Sequence, residues 1–109
     1  MSTSLAAFES SVTGDMPPSG VSPALTALWW SNKGEWTKAH AVVMDDEGAD
    51  CAWVHAYLHR TEPDLANARY WYARAGRPVA TGPLDAEWRV IAATLLGDDI
   101  AAADIASRR

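Results

Sequence analysis

A single cysteine, Cys51, occurs in this 109-residue chain. That excludes an internal disulfide framework and fits a reducing compartment. No apolar run approaches the roughly 18 residues of a membrane span. The first residues lack the basic cluster and apolar stretch of a secretion signal, so the expectation is a cytoplasmic protein. Basic charge is scarce: nine Lys and Arg against fourteen Asp and Glu leave a net charge of −5. General nucleic-acid binding is therefore not expected, because attraction to phosphates needs surplus cations. No stretch shows the alternation of a half-buried strand, and neither a Gly-rich phosphate loop nor a Ser-His-Asp order stands out. Phenylalanine occurs once. Tryptophan occurs six times, and large flat side chains in a small chain favour broad helix-helix contacts or an aromatic surface patch.

The pattern that remains is helical. Residues 1–20 are rich in Ser, Thr, Gly and Pro and read as a flexible or loosely docked tail, attached through Phe8. A single helical domain is expected over 21–109. It begins with Ser22 as N-cap and Pro23 at the first helical position, and Gly34 stops the first helix after Lys33. A second helix from Glu35 carries Trp36, Ala39, His40 and Val43 on one buried stripe. After the acidic turn "DDEGAD", Asp50 is read as the cap of a third helix over 51–62, apolar nearly all round and hence central. Asp64 caps a fourth, with Leu65, Ala68, Tyr72 and Ala75 facing the core, until Gly76 and Pro78 end it. A fifth spans about 85–96, and a last helix follows Gly97. The expected fold class is all-α, with about five to six helices in antiparallel hairpins.

A weak internal repeat underlies this order. Laying "GEWTKA" (34–39) on "PDLANA" (63–68) aligns Trp36 with Leu65 and Ala39 with Ala68, and "GDDIAA" from Gly97 keeps the five-residue spacing to Ala102. In this the chain resembles degenerate tetratricopeptide repeats, whose hairpins carry a turn residue, an aromatic two positions on and an alanine three further. The spacing of 29 and then 34, and Pro63 in place of a turn glycine, depart from that family. The resemblance implies either a right-handed stack of hairpins or a compact helical bundle. The stretches "HAYLHR" and "NARYWYARAGRP" are also similar to small bacterial proteins of unassigned function.

Three histidines form the first candidate site. Counted outward from the midpoint of the turn at 46–49, His40 and His55 stand at the same level of a hairpin, and His59 lies one helical turn beyond His55 on nearly the same face. Such a trio suits Zn²⁺ or Fe²⁺ with positions left open for water. Cys51 cannot share an ion with His59, since eight helical residues separate them by about 12 Å. Ala56 stands where a zinc protease would carry its glutamate. No acid is evidently spaced to orient the rings, with Glu35, Asp45 and Glu62 merely near in sequence. The alternative reading has His40 and His55 hydrogen-bonded within the bundle to Tyr57 or Tyr72. Cys51, near a helix start and one turn from His55, is either an activated thiol or a small apolar filler. Asp45, Asp46, Glu47 and Asp50 lack the ligand spacing of a calcium loop.

The second candidate is the outward stripe Asn67, Tyr70 and Arg74, with Arg77 following. Arg and Tyr are enriched at partner surfaces, and local positive charge suits an acidic segment. Trp29 and Trp30, about 100° apart around a helix, cannot share one narrow buried stripe. The function read from the sequence is non-catalytic binding of another protein or peptide, or of a second copy of the chain, with no cofactor. The alternative is a metal-binding protein or small metal-dependent enzyme using His40, His55 and His59 with Zn or Fe.

Overall fold

The helix order follows from where the chain supplies caps and breakers. A computed structural model describes residues 4–97, with helices α1 (Leu5–Ser11), α2 (Pro23–Asn32), α3 (Trp36–Met44), α4 (Ala49–Thr61), α5 (Leu65–Ala75) and α6 (Leu84–Leu96). No strand occurs among the described residues, and the fold is all-α. Ser22 caps α2 by accepting from the Leu25 amide at 3.2 Å, with Pro23 at the first position. Asp64 caps α5 through the Asn67 amide. Gly34, at φ +83°, ends the α2 hairpin in the left-handed conformation that glycine adopts without strain. The helix expected after Gly97, and the third repeat with it, lie outside the described residues. No described helix is long and apolar enough to cross a membrane.

The acidic turn differs from its sequence reading. Gly48, not Asp50, is the N-cap of α4, and Asp50 lies inside the first turn. The reason is local: Asp46 Oδ1 accepts from the Gly48 amide at 2.7 Å, closing a tight turn two residues earlier. Asp50 then sits beside the positive end of the helix dipole.

Helix α4 is the centre of the molecule. It packs against α2, α3, α5 and α6, and every residue from Cys51 to His59 is buried. The Ala52 and Ala56 side chains are small enough to admit neighbours, while Val54 and Leu58 are fully enclosed. A buried polar knot closes the far side. Glu87 accepts from Arg60 Nη1 at 2.6 Å and from the Tyr72 hydroxyl, and Arg60 Nη2 donates to the Gly82 carbonyl. These bonds tie α4, α5 and α6 and satisfy a carboxylate that would be costly to bury alone.

The N-terminal stretch carries more structure than a loose tail. Ser4 caps α1, Leu5 and Phe8 are buried, and Phe8 stacks on Trp88 at 5.7 Å. Trp29, fully buried, donates its indole N–H to Ser11 Oγ at 3.0 Å. Its neighbour Trp30 is half-buried, with Lys38 lying over the ring. Leu65 is 53% exposed rather than part of the core stripe, because it is the first residue of α5, past the end of α4. Ala68 and Tyr72 keep their expected core places.

Candidate metal centre

Two helices supply the cluster. His40 follows Trp36 by four residues on α3, one helical turn away, and His55 and His59 repeat that spacing on α4. The two Nε2 atoms of His40 and His55 approach to 3.1 Å. The ring of His59 lies 4.9 Å from that of His55 and 5.3 Å from that of His40, centre to centre. One ring nitrogen from each histidine lies within 4.8 Å of the other two. The level counted outward from the turn is the level at which the rings meet.

Aromatic walls hold these rings in place. Trp36 stacks on His40 at 4.5 Å and is itself anchored by its indole N–H to the Leu58 carbonyl at 2.9 Å. Trp71 lies flat on His55 at 3.9 Å, with an interplanar angle of 14°. Neither tryptophan is singled out as a site residue by helical spacing, because their role appears only when α3 and α5 close over α4.

Glu62 is the orienting acid. His59 Nδ1 lies 2.5 Å from Glu62 Oε1, so the ring donates from Nδ1 and Nε2 is the nitrogen left to face an ion. A carboxylate on the outer nitrogen fixes the tautomer of a ligating histidine and raises its basicity. The sequence places Glu62 three residues after His59, near enough to be a candidate, but the spacing alone does not show that the carboxylate meets the ring. As C-cap of α4 it still turns back to its own last turn. Asp64, also near His59, is engaged with the amide and side chain of Asn67.

The expected bonds to tyrosine are not the ones made. Tyr72 donates to Glu87, and His40 and His55 bond to one another. One buried atom, His55 Nδ1, has no hydrogen-bond partner. A buried N–H without an acceptor is rarer than a bare lone pair. In the metal-free chain the proton of His55 therefore sits on Nε2 and points at His40.

The electrostatics favour the neutral form of His40 and His55. Burial pushes the His55 imidazolium down to about 4, and the nearby His40 and His59 add to the effect. Burial also lowers His40, with His59 acting in the same sense and Glu62 against it. Neutral imidazoles are the form that binds metal. With metal–nitrogen bonds of about 2.0–2.1 Å, two nitrogens on one ion lie roughly 3.3 Å apart in a tetrahedral site and roughly 2.9 Å apart in adjacent octahedral positions. The 3.1 Å separation falls between these values.

The rings line an open groove of about 550 Å³ together with the apolar side chains of Val43, Met44 and Trp71. Asn67 and Arg74 line the same groove, so two candidates that are separate in the sequence share one place. Tyr70 borders it, its hydroxyl 3.4 Å from Arg74 Nη1. Arg77 is elsewhere: its guanidinium lies 3.8 Å from the Trp53 ring centre, beside a different groove. Cys51 is 3% exposed, and burial together with Asp46 and Asp50 pushes its thiol up to about 11. That reverses the activation expected from the helix dipole, and the thiol is the small apolar filler of the two readings. Comparison with protein-family models, with curated proteins and with solved structures found no match for this chain.

Proposed function

We propose that this protein binds a divalent transition ion, Zn²⁺ or Fe²⁺, through His40, His55 and His59, and that the ion keeps positions open towards the groove. The observation that carries the reading is the 3.1 Å approach of two Nε2 atoms from different helices, beside a third ring keyed by Glu62. Three neutral nitrogen ligands with room for water are the donor set of a catalytic rather than a closed structural site. A bound ion of this kind supplies a Lewis acid and lowers the pKa of its water towards about 7. Elemental analysis of untagged protein purified without chelator should find near one equivalent of zinc or iron, lost in His55→Ala. Metal-free protein whose thermal stability is unchanged by added Zn²⁺ would remove the reading.

A second reading is non-catalytic binding of an acidic peptide or a second copy of the chain, on hairpins resembling degenerate tetratricopeptide repeats in a cytoplasmic protein. It is favoured by Tyr70, 53% exposed beside Arg74 on the outward face of α5. The one cysteine, buried and unpaired, suits a reducing compartment. Tyr70→Ala with Arg74→Ala should leave the far-ultraviolet spectrum unchanged and weaken association about tenfold or more, read by ultracentrifugation for self-association and by titration with an acidic peptide. Unchanged binding on both counts would sink it.

A further inference from the structure

The groove above the histidines has a distribution of charge that metal binding alone does not explain. Arg74 lines it together with Asp46 and Glu47 of the acidic turn. Among the described residues no carboxylate lies within ion-pair distance of its guanidinium. Its polar contact is the long one to the Tyr70 hydroxyl, and it lies 5.5 Å from the centre of the Trp71 ring that covers His55. An arginine that lines one groove with His40, His55 and His59 and forms no ion pair is a ready partner for a planar two-oxygen anion.

We infer that the groove takes a small aliphatic monocarboxylate, one oxygen on the histidine-bound metal and the other on Arg74, with its carbon chain against Val43, Met44 and Trp71. This rests on the metal reading above. A divalent ion on three uncharged nitrogens keeps its whole charge, which favours an anionic fourth ligand. Asp46 and Glu47 also line the groove. Asp46 is turned into its own bend by the Gly48 amide. The three positive charges of the ion and Arg74 are matched by the three carboxylates Asp46, Glu47 and Glu62, the last against His59. A monoanion disturbs that balance by one charge and a phosphate dianion by two. The apolar wall and the volume of about 550 Å³ suit a short acid.

The test uses the whole chain loaded with Co²⁺, whose visible bands respond to ligand exchange. Butyrate, inorganic phosphate and thiocyanate are titrated separately. Butyrate should shift the bands saturably and bind more tightly than phosphate. Arg74→Gln, a change on the exposed face of α5, should weaken butyrate roughly tenfold, about 1.4 kcal/mol. Thiocyanate, which ligates metal through one atom, should change by no more than about a third as much on the same logarithmic scale. No response to butyrate, tighter binding of phosphate, or equal weakening of butyrate and thiocyanate would each overturn the inference while leaving the metal site standing. Failure to take up Co²⁺ would overturn the metal reading, and the carboxylate site with it.

Discussion

Glu62 shows how much one side chain just beyond a helix can contribute. It lies outside the histidine trio, yet its carboxylate fixes the nitrogen from which His59 donates. Glu62→Gln keeps the shape and removes the charge. Zinc affinity, measured by competition with a chelating dye, should fall about 10- to 100-fold, the usual effect of removing a partner that orients a ligand. An unchanged affinity would mean that His59 needs no orientation. The three histidines were legible in the sequence because helical geometry is periodic, and counting residues outward from a turn places side chains reliably. Glu62 was not, because its position depends on how the last turn of α4 closes. Arg74 was visible as an outward cation, but its sharing of a groove with the histidines depends on the packing of α5 against α4.

At the scale of elements, α4 carries both the core and the site. Leu58 is fully enclosed, and its own carbonyl holds the indole of Trp36 against His40. Leu58→Ala should lower stability by about 2–5 kcal/mol, as buried leucine truncations do. Denaturant unfolding would measure it, and a loss under 1 kcal/mol would show that α4 is less enclosed than described. The central role of α4 could be read from its sequence, since a helix apolar on every side has to be covered on every side. Its start could not: Asp50 was a plausible cap, and the bend made by Asp46 pre-empted it. Helix α1 escaped notice for a different reason. Seven residues with two apolar anchors, Leu5 and Phe8, give too little periodicity, and only the stack on Trp88 reveals what they are for.

The whole molecule should feel the cluster through pH. In the metal-free protein His55 has a pKa of about 4 when folded against about 6.5 when unfolded, and His40 is shifted in the same direction. Between those values the unfolded chain binds more protons, so this contribution to stability is fully present above about 6.5 and is lost as pH falls towards 4. His59, Glu62 and Arg74 stand around the pair and share its field. Near pH 5 the loss should be roughly 2 kcal/mol relative to pH 7. Unfolding curves at the two values would show it, and His55→Phe should remove most of the difference. If the variant kept the full pH dependence, other groups would be responsible.

The indoles of Trp36 and Trp71 lie face to face with His40 and His55. Imidazolium and many transition ions draw excited-state electrons from an adjacent indole, so the protein's own emission carries a signal from the cluster. Acidification, ion capture and opening of the α3–α4 contact each alter that light without any attached dye. Should the histidines capture an ion as proposed, receptor and optical reporter would lie in one small chain, and cuvette fluorescence would follow the binding directly.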